Sequence, residues 1–134
     1  MDTAGFLVSA QWALRALLAL VFVAMGILHF VPASARTMAA IIPPRLRGSG
    51  LFSPASLVAV SGVAEILGGL GLLAPWPGVT MAAGIGLVLL LVAVFPANVY
   101  ASQHPERFEK LAVPFWPRLA GQVLLAALIV LAIL

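Results

Sequence analysis

Two ionisable side chains, Glu65 and His29, lie within long apolar stretches of this 134-residue chain. Glu65 comes about 11 residues after Pro54, which places it about 16 Å along a helix that starts there. A carboxylate at that depth of a membrane is costly unless it is protonated, paired or in contact with water, so a functional role is the default expectation. The alternative is a neutral or ion-paired glutamate that only holds two helices together.

Small residues surround Glu65 at helical spacings. They are Ser61, Gly62, Gly68 and Gly69. Such a face allows either close contact with another helix or a cavity around the carboxyl group.

His29 ends the first apolar segment, within Gly26-Ile27-Leu28-His29-Phe30. A histidine exchanges protons near neutral pH, so His29 is a candidate member of the same site. Equally, a histidine near a helix end often only bonds a backbone carbonyl.

Three more polar side chains, Asn98, Gln122 and Arg118, lie toward the same side of the predicted bundle as His29. Arg118 is four residues before Gln122 and shares its helix face. They are candidate ligand-binding residues, or they form bonds between helices worth about 0.6–2 kcal/mol each. Arg15, in the first segment, either extends to the membrane interface or reaches inward toward Glu65.

The residues that many catalytic sites need are missing. The chain has no cysteine, so it has no thiol redox chemistry of its own. Glu65, His29 and His104 lack the spacing of metal ligands, and no serine has a base placed for a nucleophilic triad. We therefore expect no metal site, no intrinsic cofactor and no hydrolase, and the sequence identifies no catalytic residue.

The amino-acid composition indicates the kind of secondary structure that carries these side chains. Hydrophobic residues make up 63% of the chain and charged residues 8%, and the mean hydropathy is +1.18. Soluble domains have about 45–50% apolar and about 25% charged residues, so a soluble enzyme is excluded. Each of four apolar segments is long enough to cross a bilayer. These segments are approximately residues 11–31, 54–74, 79–100 and 116–134. The predicted fold is an all-α membrane protein in which residues 1–134 form one four-transmembrane-helix bundle.

The formal charge of +3 does not indicate nucleic-acid binding, because the basic residues flank apolar segments. Five of the seven lie in the first and third connections: Arg36, Arg45, Arg47, Arg107 and Lys110. Basic loops stay on the cytoplasmic side. We therefore expect a multi-pass protein of the cell membrane with both long loops in the cytoplasm and both termini outside.

The arrangement resembles the DoxX family of small four-helix integral membrane proteins. The resemblance covers approximately residues 15–122. It rests on Gly26-Ile27-Leu28-His29-Phe30, Ile42-Pro43-Pro44, Ser61-Gly62-Val63-Ala64-Glu65-Ile66-Leu67-Gly68-Gly69, Phe95-Pro96-Ala97-Asn98, and Arg118 with Gln122.

The resemblance implies several functions. Some DoxX-like proteins are associated with a membrane subunit of a thiosulfate:quinone oxidoreductase, and others with membrane redox-stress complexes. More distant relatives include a chaperone-like assembly factor for neurotransmitter receptors.

The resulting hypothesis is a polar pocket open toward the cytoplasmic leaflet, lined by Glu65, His29, Asn98 and Gln122. In the redox interpretation it binds a quinone, and a partner protein supplies electrons. In the alternative it binds a lipid or a partner helix, and the protein is a non-enzymatic assembly factor or scaffold. Proton-coupled transport through Glu65 is a third interpretation, which would require an oligomer. Small-residue faces at 64–68 and 82–86 favour a homo-oligomer or a protein partner in any case.

Overall fold

The structure is a computed structural model that describes residues 2–108 and 113–134. Within this part of the chain there are helices and no strands, which confirms the all-α prediction. The α-helices are α1 (Thr3–Leu28), α2 (Pro32–Ala40), α3 (Pro54–Leu72), α4 (Pro77–Ser102), α5 (Pro105–Phe108) and α6 (Phe115–Ile133). Lys110, which the loop-charge argument used, lies outside the described residues.

Helix α1 differs most from its prediction, since it starts at Thr3 rather than near residue 11. Asp2 explains the early start, because its side chain accepts a hydrogen bond of 2.6 Å from the backbone N–H of Gly5 and caps the helix. The helix ends at Leu28, before the predicted residue 31. Val31 precedes Pro32 and is extended, as the steric demand of the proline ring requires.

The other three long helices begin and end within two residues of their predictions. Ser53 caps α3 and Pro54 occupies its first turn, so the helix begins at the predicted residue. Pro96 lies inside α4, which nevertheless continues to Ser102. The short helix α2 was not predicted, because it lies within a segment interpreted as loop.

Neighbouring long helices run antiparallel. Gly26 of α1 lies against Gly62 and Ile66 of α3, while Ala19 lies against Gly69. We name two ends of the bundle: at the loop end α1 and α4 finish and α3 and α6 begin, and at the turn end α3 finishes and α4 begins.

The hydrophobic core lies in the half of the bundle nearest the turn end. Its buried members are Leu18, Phe22, Leu72, Leu87, Ile129 and Ala132, contributed by all four long helices. Glu65 lies about one helical turn from Gly68, which packs on Leu87, in the direction of the loop end. The polar candidates therefore occupy the half of the bundle that this apolar cluster does not fill.

The outer surface of the bundle is apolar. Large side chains such as Leu20 and Leu89 are 69% and 63% exposed. The four long helices are each long and apolar enough to cross a membrane. An apolar exterior of this extent suits lipid rather than water.

Candidate functional site

Glycine residues bring α1 and α3 together where the candidate site lies. A Cβ atom at Gly26 would be 2.8 Å from the carbonyl oxygen of Gly62, and one at Gly62 would be 3.1 Å from that of Gly26. Only residues without a side chain allow two backbones to approach this closely. The predicted small-residue face around Glu65 thus serves close helix contact.

This contact places His29 beside Glu65. His29 caps the C-terminus of α1, and its Nδ1 atom lies 3.4 Å from Oε2 of Glu65 on α3. The two side chains are 10% and 14% exposed, so they are mostly withdrawn from the surface yet not sealed from it. Of the partners considered for Glu65, the structure selects His29.

Nδ1 of His29 and Oε2 of Glu65 lie within ion-pair distance, but they are not hydrogen-bonded to each other. Nδ1 of His29 lies 2.7 Å from the carbonyl oxygen of Met25, one turn earlier in α1. A carbonyl oxygen only accepts, so Nδ1 carries the hydrogen of this contact, and Nε2 is the ring nitrogen left for a further partner. Oε2 of Glu65 is buried and has no hydrogen-bond partner among the described residues.

A buried carboxylate oxygen without a donor is costly. Its cost falls if the imidazole ring becomes positively charged, if the carboxyl group is itself protonated, or if a ligand donates to it. The pair can therefore hold a proton in two places, and it can accept from or donate to a third group.

Asn98 and Arg118 form a second pair, between α4 and α6. Nη1 of Arg118 donates to Oδ1 of Asn98 over 3.0 Å. Gln122 lies one turn further along α6, and none of the described residues hydrogen-bonds its side chain. The structure therefore joins the predicted residues in two separate pairs, His29 with Glu65 and Asn98 with Arg118.

Arg15 lies at the turn end, away from Glu65. Its Nε donates to the carbonyl oxygen of Ala132 over 2.6 Å, and its guanidinium carbon is 4.8 Å from the centre of the Trp12 ring. Gln11 also donates to backbone carbonyls of α6. Arg15 thus ties α1 to α6, a role that neither sequence interpretation included.

A cavity of about 610 Å³ opens at the loop end, and sequence reasoning did not find it. Its wall includes Pro43, Arg45, Phe95, Tyr100 and Gln103. Pro43-Pro44 and Phe95-Pro96 are separate motifs in the sequence. Their separation of about 50 residues hid the fact that they face the same space.

The family model described as a domain of unknown function (DUF8561) matches residues 18–133, and the chain belongs to this family. No curated protein and no solved structure matches the chain. The matched range includes both pairs described above, so the family is defined over the part of the chain that holds the candidate site.

Proposed function

We infer that this DUF8561 protein is a multi-pass integral membrane protein that binds a quinone, or another lipophilic ligand with a hydrogen-bonding headgroup, at the His29–Glu65 pair. In this proposal it is a membrane subunit of a quinone-linked oxidoreductase or redox-stress complex, as the DoxX resemblance implies. The observation that carries the proposal is the buried Oε2 of Glu65, which lies 3.4 Å from an imidazole nitrogen and has no hydrogen-bond donor among the described residues.

The two side chains fit a quinone headgroup chemically. A quinone, when bound, accepts two electrons and two protons and offers two oxygens to hydrogen-bond donors. Protonated His29 donates from Nε2, and protonated Glu65 donates from its carboxyl group. Each returns to its starting state by taking up a proton from the loop end, so the pair both orients a headgroup and supplies protons to it.

The electrons would come from a partner. The chain has no cysteine, and the described residues contain no cluster that could hold a metal ion. A protein partner or an oligomer is therefore part of the proposal. The exposed faces of the four long helices provide apolar surface on which such a partner can pack.

The proposed orientation puts the loop end in the cytoplasm and both termini outside. Arg36, Arg45, Arg47 and Arg107 lie in the connections at the loop end. Trp12 and Trp76 lie toward the turn end, and Trp116 lies at the loop end, 75% exposed. Aromatic residues at both ends are typical of the two membrane interfaces.

The experiment is a measurement of quinone that remains with the protein. The chain is extracted from native membranes in polymer-bounded lipid discs, and quinone per chain is quantified by mass spectrometry. The proposal predicts near-stoichiometric quinone above the ratio in the bulk membrane, and less of it with His29→Gln. His104→Gln is the matched control. Nδ1 of His104 lies 2.8 Å from the carbonyl oxygen of Tyr100, one turn earlier, as Nδ1 of His29 lies close to that of Met25.

Quinone at the bulk-membrane ratio in all three proteins would contradict the proposal. A stable co-purified protein complex without enriched quinone would favour the alternative function, a non-enzymatic assembly or scaffold factor.

A further inference from the structure

The cavity at the loop end is built from two segments that are distant in sequence. Pro43, Pro44 and Arg45 of the first connection form one wall. The other wall is formed by α4, through Phe95, Pro96, Val99 and Tyr100, and by Gln103 directly after its last residue. None of these residues belongs to the His29–Glu65 pair, so the cavity is separate from the proposed quinone site.

The α4 wall changes from apolar to polar along its length. Phe95, Val99 and Gln103 are spaced by four residues and so share one helix face, which covers about 12 Å along the axis. The apolar members lie deeper in the bundle, and Tyr100 and Gln103 lie next to the end of the helix. A ligand that fits this wall is polar at the loop end and apolar deeper in the bundle. A membrane lipid has this character where its acyl chains meet its headgroup.

The arginine residues of the first connection differ in what they bind. Arg47 donates to the carbonyl oxygens of Ile42 and Ala40, each over 2.9 Å, and so fixes the loop. Arg45 lines the cavity and has no acceptor among the described residues. Its guanidinium group is therefore available to an anionic ligand in the cavity.

Tyr100 also lines the cavity, and it carries a hydroxyl group. Its hydroxyl oxygen accepts a hydrogen bond of 2.9 Å from Nη1 of Arg107, which leaves the hydroxyl hydrogen to be donated elsewhere. His104 and Phe108 hold the tyrosine ring, at centroid distances of 4.3 and 5.8 Å. The described part of the connections at this end contains four arginine residues and one acidic residue, Glu106, so its net charge is positive.

We propose that this cavity binds the phosphate of an anionic phospholipid, with Arg45 and Tyr100 as donors to the phosphate and Phe95 and Val99 against the upper acyl chains. The proposal does not depend on quinone binding at the His29–Glu65 pair. It assigns the proline pair 43–44 and the Phe95-Pro96 turn of α4 a shared role as the walls of a lipid site.

Native mass spectrometry of the purified chain tests this proposal. The protein is titrated with phosphatidylglycerol, with phosphatidylcholine of the same acyl chains, and with glycerol 3-phosphate. One well-placed arginine makes the anionic lipid bind about fivefold more tightly than the zwitterionic one. Arg45→Gln should remove this preference, and Tyr100→Phe should weaken it.

Arg36→Gln is the control. It removes the same charge from an exposed position on α2 that does not line the cavity, and it should leave the preference unchanged. Equal binding of the two lipids to the wild type would overturn the proposal, whatever the stability of the variants. So would an equal loss with Arg36→Gln and Arg45→Gln, which would indicate a diffuse charge effect. Glycerol 3-phosphate binding as tightly as phosphatidylglycerol would overturn the lipid assignment in favour of a soluble phosphate.

Discussion

Gly62 and His29 are in direct contact across the α1–α3 interface, and a Cβ atom at position 62 would lie 2.6 Å from the Cβ of His29. The same added atom would lie 3.0 Å from the Phe30 ring. His29 therefore reaches its place beside Glu65 because position 62 has no side chain.

We predict that Gly62→Ala displaces His29 and separates it from Glu65. Overpacking of this kind costs about 1–3 kcal/mol of stability, so the thermal unfolding midpoint should fall, and bound quinone should fall with it. Gly121→Ala, in α6, is the matched control, because a Cβ atom there meets nothing within 4 Å. That variant should be neutral or stabilised by about 1 kcal/mol. Equal behaviour of the two variants would refute the close contact.

The Asn98–Arg118 pair is predicted to stabilise the bundle without taking part in ligand binding. Asn98→Ala removes the acceptor for Nη1 of Arg118 and should cost about 1–2 kcal/mol, seen as a lower unfolding midpoint. Bound quinone per folded chain should not change. Gln122→Ala, which removes an amide with no hydrogen bond to a described residue, is the control for stability. A loss of quinone with Asn98→Ala would instead extend the ligand site to α4.

The orientation of the bundle can be tested with single cysteines, because the chain has none of its own. Ser49, Gly78 and Glu106 are exposed, the first and third at the loop end and the second at the turn end. An impermeant thiol reagent applied to intact cells should label a cysteine at position 78 and leave 49 and 106 unlabelled. The reverse pattern would invert the proposed topology.

The sequence predicted the long helices well because apolar length and proline-serine boundaries are local signals. Ser53 and Pro54 marked the start of α3 correctly. The predicted start of α1 near residue 11 was wrong, because the capping Asp2 begins the helix.

The site was only half predictable, since the pairing of side chains depends on helix rotation and register. Sequence reasoning selected Glu65 and His29 but could not choose among the cationic partners of Glu65. The choice depends on Gly26 and Gly62, whose close approach brings the end of α1 against α3. The loop-end cavity was missed for a similar reason, because Pro43 and Phe95 meet only through the path of the first connection.

A double-mutant cycle on bound quinone tests whether His29 and Glu65 form one ligand site. Glu65→Gln keeps the size of the side chain and removes the carboxylate oxygen that has no donor, so stability should be kept when the His29 ring is neutral. If the two side chains bind one ligand, Glu65→Gln and His29→Gln each lower quinone occupancy, and the double variant lowers it little further than either alone. Full occupancy in Glu65→Gln between about pH 5 and 9, with no loss in the double variant, would contradict the account and leave the carboxyl group a purely structural link between α1 and α3.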